Sequence, residues 1–565
     1  MNRLLLPLLL ATSAVAQQSD AVLDAMKAEM ARSSSLSLGQ LDKPYYIAYT
    51  LDEARIWTAS ATLGAVMSSD LQTFRVPQIR LRVGDYKFDN SNFSGGGGGG
   101  ARYDLGAFPL EDDAGAIRHY FWLSTDSAYK GALQTIARKR SALRSVTVSE
   151  QLPDFSPSPA FNLLKTRPPL SFDRKMWDDR LRKASAVFSA FPTLRVSGVE
   201  MMVIDGIHRF VNTEGTVLRL PQEVSSLQIR ASAQAPDGMI VRDFQGLYFG
   251  KVRDMSSEAD LLSASKFLAE QTVKIAAAPM GENYSGPILF EGAAAPQLLA
   301  GVLGRNLHIA RKPVGAGAQA AATELEGRRG VRIMPEFFNV VDDPAADLFG
   351  AAETDDEGMP SKKVTLVEKG VLKDFLRTRT PVRGYSDSNG HAMLAGLPTP
   401  TNLLITATEK TPVADLRKKL IDLIQQRGLE YGIVIRKLDF PSSASLDEAR
   451  RLLAGGGGTG SAQPVPLPIY IYQLFADGRE QMIRGVRLRG VNARSLKDIL
   501  FAGDDSVTFS YLENGAPFAL LANNGNSAEV SIVAPSLLVD DLELTRMDDE
   551  LPKLPIAPSP LTAGQ

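Results

Sequence analysis

The sequence contains no cysteine among 565 residues, and only four histidines. The first absence excludes disulfides, thiolate nucleophiles, iron–sulfur clusters and Cys-ligated zinc. The second leaves little for a histidine-rich metal centre. His119, His208, His308 and His391 never stand four apart, so no helical turn pairs two of them as ligands. Each reads as a surface or hydrogen-bonded structural histidine. Charge of one sign is also missing: 62 Lys+Arg against 64 Asp+Glu leave a net charge of −2. Nucleic-acid binding would call for a basic surplus, and no basic run marks an anionic membrane surface. No apolar run reaches the roughly 20 residues that cross a bilayer, so no membrane span is expected. What is present is globular: 44% hydrophobic and 22% charged residues exclude wholesale disorder and suffice for several cores.

The chain opens like an address. Arg3 supplies a positive region, Leu4 to Leu10 an apolar stretch, and Ala14-Val15-Ala16 a small-x-small cleavage site. The expectation is a signal peptide over 1–16, cut after Ala16, and a periplasmic or secreted protein.

Beyond it, Val22, Met26 and Met30 recur every four residues, as on one face of a helix. Ile79 to Val83 alternate apolar and polar, as a strand wet on one face does. Asp126 can cap a helix carrying Leu133, Ile136 and Leu143. The glycine runs 95–100 and 455–458 read as loops. Prolines 153, 157, 159, 168 and 169 mark a connector. Leu416, Leu420, Leu423 and Ile424 form one helix face, with Pro412 and Gly428 as its boundaries. Residues 445–448 read as a capping box. Ile469 to Phe475 and Met482 to Arg489 flank Asp477-Gly478 as a hairpin. The fold class is therefore α+β: N-terminal α/β segments with helices on mixed sheets, then a large, mainly antiparallel β domain. The divisions expected are 17–148, a central domain 149–283, a C-terminal domain 284–545 and a proline-rich tail 546–565.

Common catalytic patterns are incomplete. Gly384-Tyr385-Ser386-Asp387-Ser388 lacks the second glycine of a nucleophile elbow. Gly315-Ala316-Gly317 with Ala320 is a partial dinucleotide fingerprint without a preceding strand. Asp342-Asp343 and Asp355-Asp356-Glu357-Gly358 lack calcium-loop spacing and read as solvated turns.

Several blocks, in order and spacing, resemble the TldD/PmbA family of zinc-metallopeptidase-related proteins. They are Val340-Val341-Asp342-Asp343-Pro344, Thr354 to Pro360, Thr365 to Leu376, Ser388-Asn389-Gly390-His391-Ala392 and Pro398 to Asn402. Asp477-Gly478-Arg479 and Ala534 to Val539 fit its closing strands. The resemblance implies a motif loop built from Asp355, Asp356, Glu357, Gly358, Asn389, Gly390, His391 and Asn402. It also implies an interior chamber for short or unfolded peptides. The family's active branch carries zinc on an H-E-x-x-x-H motif and a distal Cys. The matching place is Phe290 to Ala295: Phe290 stands at the first histidine, Ala295 at the second, and only Glu291 matches, at the general-base position. Catalytic zinc needs about three protein ligands. None is expected here, so no metal and no cofactor are expected, and Glu291 reads as an inert strand-end residue. This resembles the zinc-less PmbA (TldE) branch. The implied function is an exported partner or substrate-holding subunit, homodimeric or paired with a TldD-like homologue, that takes peptide or unfolded segments and is not catalytic by itself. The rivals are an active metallopeptidase with a rebuilt metal site and a non-proteolytic envelope binding or assembly protein.

Overall fold

The computed structural model describes residues 20–94, 108–144, 152–315, 323–394, 396–444, 466–515, 519, 521, 527–547 and 559–562. The signal segment, both glycine runs, the capping box at 445–448 and most of the tail lie outside these residues. The dinucleotide-like stretch lies outside them from position 316 onward.

The first half contains α1 (Ala21–Ser33), β1 (Pro44–Thr62), β2 (Ala65–Val83), α2 (Ala114–Leu143), β3 (Asn162–Leu164), α3 (Arg174–Ala186), β4 (Leu194–Asn212), β5 (Val217–Gln234), β6 (Ile240–Phe249) and α4 (Glu258–Ala277). Its strands make one sheet in the order β2-β1-β4-β5-β3, with β6 also on β5. Segments 17–148 and 149–283 thus share a single sheet. The turn between β1 and β2 uses Leu63 and Gly64, both at positive φ, the backbone that matches strand twist in a tight hairpin.

Period-two alternation gives this sheet two unlike faces. On β1, Tyr49 and Leu51 pack under α1 and α2, while Trp57, Ala59 and Ala61 pack under α3. The intervening residues, among them Ala48, Thr50, Asp52, Ala54 and Ile56, share the opposite face. Helix α2 begins earlier than expected. Asp113, not Asp126, is its cap and accepts from Ala116 N at 2.6 Å. Asp126 sits inside the helix and pairs with Lys130 one turn on, because the aromatic-rich stretch from Ile117 to Tyr129 is itself helical.

The second half contains β7 (Tyr284–Phe290), α5 (Ala294–Val302), β8 (Phe338–Asp342), β9 (Val364–Glu368), β10 (Val371–Leu372), β11 (Ala392–Leu394), β12 (Leu397–Pro398), β13 (Asn402–Ala407), α6 (Val413–Gln426), β14 (Tyr431–Leu438), β15 (Pro468–Phe475), β16 (Glu480–Ile483), β17 (Val486–Arg489), β18 (Ile499–Ala502), β19 (Val507–Glu513), β20 (Ala528–Ala534) and β21 (Leu537–Arg546). One sheet runs β10-β9-β8-β13-β20-β19; another runs β16-β15-β14-β7-β21-β17, with β18 on β21. Only β13–β20 and β14–β7 pair parallel within these sheets. The α+β class holds, with a mainly antiparallel second half.

Central β7 is apolar on both faces, as a strand covered on both sides must be. Leu289 packs on Leu416, Leu420 and Ile424 of α6. Ile288 and Phe290 enter the main core with α5. The expected Met482–Arg489 strand is two strands. Gly485 at φ 69° breaks it, and Arg484 turns inward to donate to Ala278 O at 2.9 Å. Among the described residues, no helix is long and apolar enough to cross a membrane.

Candidate functional site

The position of the missing metal motif is solid core. Phe290 and Ala295 are both fully buried. Phe290 ends β7 between Ile435 and Leu537, and Ala295 lies in the first turn of α5, beside Pro296. Neither side chain can donate to a metal. Among the described residues no group of three His, Asp or Glu side chains could hold one. The residues at this position do not fit zinc.

Glu291 is not inert. Its backbone N–H donates to Ile435 O at 2.9 Å. Its carboxylate accepts from Arg417 Nε and Nη2 at 2.6 and 2.8 Å, and from Arg436 Nε at 3.0 Å. Arg436 in turn grips Glu480 through Nη2 at 2.6 and 2.8 Å and lies over the Tyr472 ring. Burial opposes the charged form of Glu291, but the two guanidiniums outweigh it and hold the carboxyl below its usual range. A carboxylate held by three guanidinium N–H groups is tied down and weakly basic, a poor general base. Only the fold could reveal this quartet, which unites β7, α6, β14 and β16.

The motif loop is equally far from a set of solvated turns. Asp342 is fully buried and accepts from His391 Nε2 at 3.0 Å, Thr401 N at 3.0 Å and Thr401 Oγ1. His391 Nδ1 faces Asn389 O at 3.0 Å. Asn389 accepts from Arg377 N and donates to Phe375 O, both at 2.8 Å. Asn402 accepts from Gly350 N and donates to Asp343 O and Ala346 O. Asp355 accepts from the backbone N–H of Glu357, Met359 and Ala392 at 2.9–3.1 Å. Burial and then neighbouring Glu357 raise its pKa, against those N–H groups. Gly390 adopts φ 76°, and a Cβ there would lie 2.3 Å from Pro360 O.

This loop is riveted to the first sheet. Glu357 accepts from Arg379 N at 2.7 Å. The Arg379 guanidinium, 1% exposed, donates to Ser156 O and Glu214 and lies over Phe155. A Cβ on Gly358 would sit 2.6 Å from the Phe210 ring. Asp356 differs from its neighbours: half-buried, it faces Arg80, His208 and Asp52 across the gap between loop and sheet. His208 Nδ1 lies 2.7 Å from Asp52 Oδ1. Burial works against the imidazolium, but Asp52 outweighs it and the His208 pKa rises. Sequence reasoning missed Asp52, Arg80, Glu214 and Arg379, and read His208 only as a surface or hydrogen-bonded structural histidine, because each is an ordinary strand or loop position until pairing assembles them. Elsewhere, His308 is pushed down to about 4 by burial and by Arg305, and so is neutral at neutral pH.

The arrangement is a peptidase-like α+β fold whose metal position is filled by hydrocarbon. It is similar to the crystal structure of TldE from Thermococcus kodakarensis (13% identity, TM-score 0.59, 92% of this chain and 100% of that one). A proposed DNA gyrase modulator from Thermotoga maritima is comparable at 14% identity and TM-score 0.59, over 92% and 99% of the two chains. Residues 283–439 match the PmbA/TldA metallopeptidase C-terminal domain. Curated relatives match over short stretches. A metalloprotease of Archaeoglobus fulgidus is 37% identical over 79 residues, 14% of this chain and 19% of that protein. One from Methanothermobacter thermautotrophicus is 42% identical over 55 residues, 10% of this chain and 12% of that protein. The chain therefore covers less than a fifth of the length of these relatives. The match over residues 283–439 supports the resemblance to the TldD/PmbA family that the sequence motifs carry.

Proposed function

We propose that this chain is a zinc-less, TldE-like subunit that holds peptide or partner for a peptide-processing complex and does not cleave by itself. The observation that carries the reading is the fate of the metal position. Phe290 and Ala295 are packed into the core, and Glu291, the one surviving match, is committed to Arg417 and Arg436. Hydrolysis through a metal-bound water would need about three ligands and an open coordination position. The likeness to TldE agrees with a partner role. The N-terminal address favours export, so the partner would be a TldD-like homologue outside the cytoplasm, or a second copy of this chain.

Co-purification from native envelope fractions, with metal content and peptidase activity measured on each species, tests this. The expected result is a complex with a metal-bearing homologue, and an isolated chain that neither retains zinc nor cleaves. Chelator-sensitive cleavage by the isolated chain, abolished by Glu291→Gln, overturns it.

A further inference from the structure

Among the described residues, the inner face of the first sheet is not fully covered. Strand register aligns its rungs: Gln78–Thr50–Phe210–Leu218, then Val76–Asp52–His208–Leu220, Phe74–Ala54–Gly206–Gln222, Gln72–Ile56–Ile204–Val224 and Asp70–Thr58–Met202–Ser226. The opposite face is covered by helices. On this face the first rung is sealed: Thr50, Phe210 and Leu218 are buried, with Gly358 against the Phe210 ring. Beyond it, Val76, Phe74, Ile56, Ile204 and Met202 all keep accessible surface. Further along, the second half returns to cover the sheet, where Gln228 Nε2 donates to Leu521 O at 3.2 Å and Tyr248 packs near Phe349. The face is thus an apolar floor with a blocked end.

Charge concentrates at the blocked end. Asp52 and His208 stand on the last open rung, and Asp356 faces them from the motif loop. Glu529 on β20 lies within reach of the Asp356 charge: burial raises its pKa first and Asp356 adds to that, against a backbone hydrogen bond. Arg80 donates to the Asp356 carbonyl at 3.1 Å. Three carboxylates therefore meet one guanidinium and one histidine already paired with Asp52. Asp355 and Glu357 are taken up by backbone N–H groups, and Asp356 receives one, from Gly396. Burial and Asp52 raise the Asp356 pKa, and Arg80, His208 and the Gly396 N–H only partly oppose them. The end of the floor is short of positive charge.

We propose that this face binds an extended peptide with its free α-ammonium group at Asp356, assisted by Glu529. A chain lying on the floor must stop where Phe210 and Gly358 seal it, so a chain end arrives there. The end that neutralises the excess carboxylate is the amino terminus. Apolar side chains at alternate positions would rest on Phe74, Ile56, Ile204 and Met202, as in other sheet-borne peptide recognition. This inference rests on the peptide-holding reading above and adds the polarity and the end group recognised.

The test uses the full mature chain and an apolar heptapeptide labelled at its carboxyl end, with its amino terminus either free or acetylated. Affinities come from fluorescence anisotropy. The wild type should bind the free-amine form at least about tenfold more tightly, the scale of one charge-assisted contact. Asp356→Asn should erase that preference while leaving the acetylated peptide's affinity unchanged; Glu529→Gln should reduce it. Ile204→Glu should weaken both forms. Equal affinities for the two forms in wild type overturn this inference but leave the peptide-holding role standing, as does an acetylated peptide rescued by an internal lysine. Absence of binding by either form overturns both. If Asp356→Asn fails to fold by circular dichroism, the wild-type ratio and Glu529→Gln still decide.

Discussion

Two places that the family resemblance singles out are built in opposite ways. At 290–295 stand phenylalanine and alanine, and hydrocarbon closes the space. At 342–402 Asp342, Asp355, Asn389, His391 and Asn402 are buried and hydrogen-bonded, and the gap beside them holds Asp356, Asp52 and His208. Buried polar groups survive only where partners satisfy them. Their presence at one place and absence at the other separates the two. The first region is packed core. The second borders the sheet face on which the proposed peptide would lie.

The largest effect should come from reversing the erased site. Phe290→His with Ala295→His removes a packed ring and forces imidazoles into the core. The expected loss is about 5 kcal/mol or more, read by urea denaturation, with no zinc retained and no cleavage gained. Retained zinc with peptidase activity would collapse the comparison. Next, Asp342→Ala should cost about 3 kcal/mol, because His391 and both Thr401 donors lose their acceptor inside the protein. A cost below roughly 1 kcal/mol would mean the motif loop is held by something else.

Glu291→Gln should be milder, about 1–2 kcal/mol, since its arginines are partly solvated and Arg436 keeps Glu480. Its sign with pH is defined. The folded carboxyl titrates below its unfolded value. The stability it supplies is therefore present above an unfolded pKa of about 4.3 and lost as pH falls through the folded one. The variant should differ from wild type at pH 6 and converge with it in acid. Smallest is His208→Gln. The folded pKa of His208 is raised, so its contribution is full below about pH 6.5 and fades as pH rises through the folded value. The difference between wild type and variant should shrink from pH 6 to pH 8, by a fraction of a kcal/mol. Growth over that range would contradict the Asp52 pairing.

Much of this was legible in the residues. The spacing of Val22, Met26 and Met30 marked α1, and the Pro412 and Gly428 boundaries marked α6. Local periodicity carries such elements. The Glu291 quartet and the Asp52–His208–Asp356 gap were not legible. Their members lie 52 to 529 along the chain and meet only through strand register, which no local pattern encodes. The acidic motif loop misled for a related reason: runs of Asp and Glu normally mean water, and here the water is replaced by backbone N–H groups supplied from Met359 and Ala392.

Strand β7 has one further consequence. Its neighbours are β14 and β21, where Ile288 pairs with Ile433 and Phe290 with Leu537. The middle of this sheet is thus completed by two strands far from β7 along the chain. Loop-closure entropy makes such distant pairings slow. Removing β21 would strip Ile288, Leu289 and Phe290 of one neighbouring strand and leave an apolar sheet edge open to another chain.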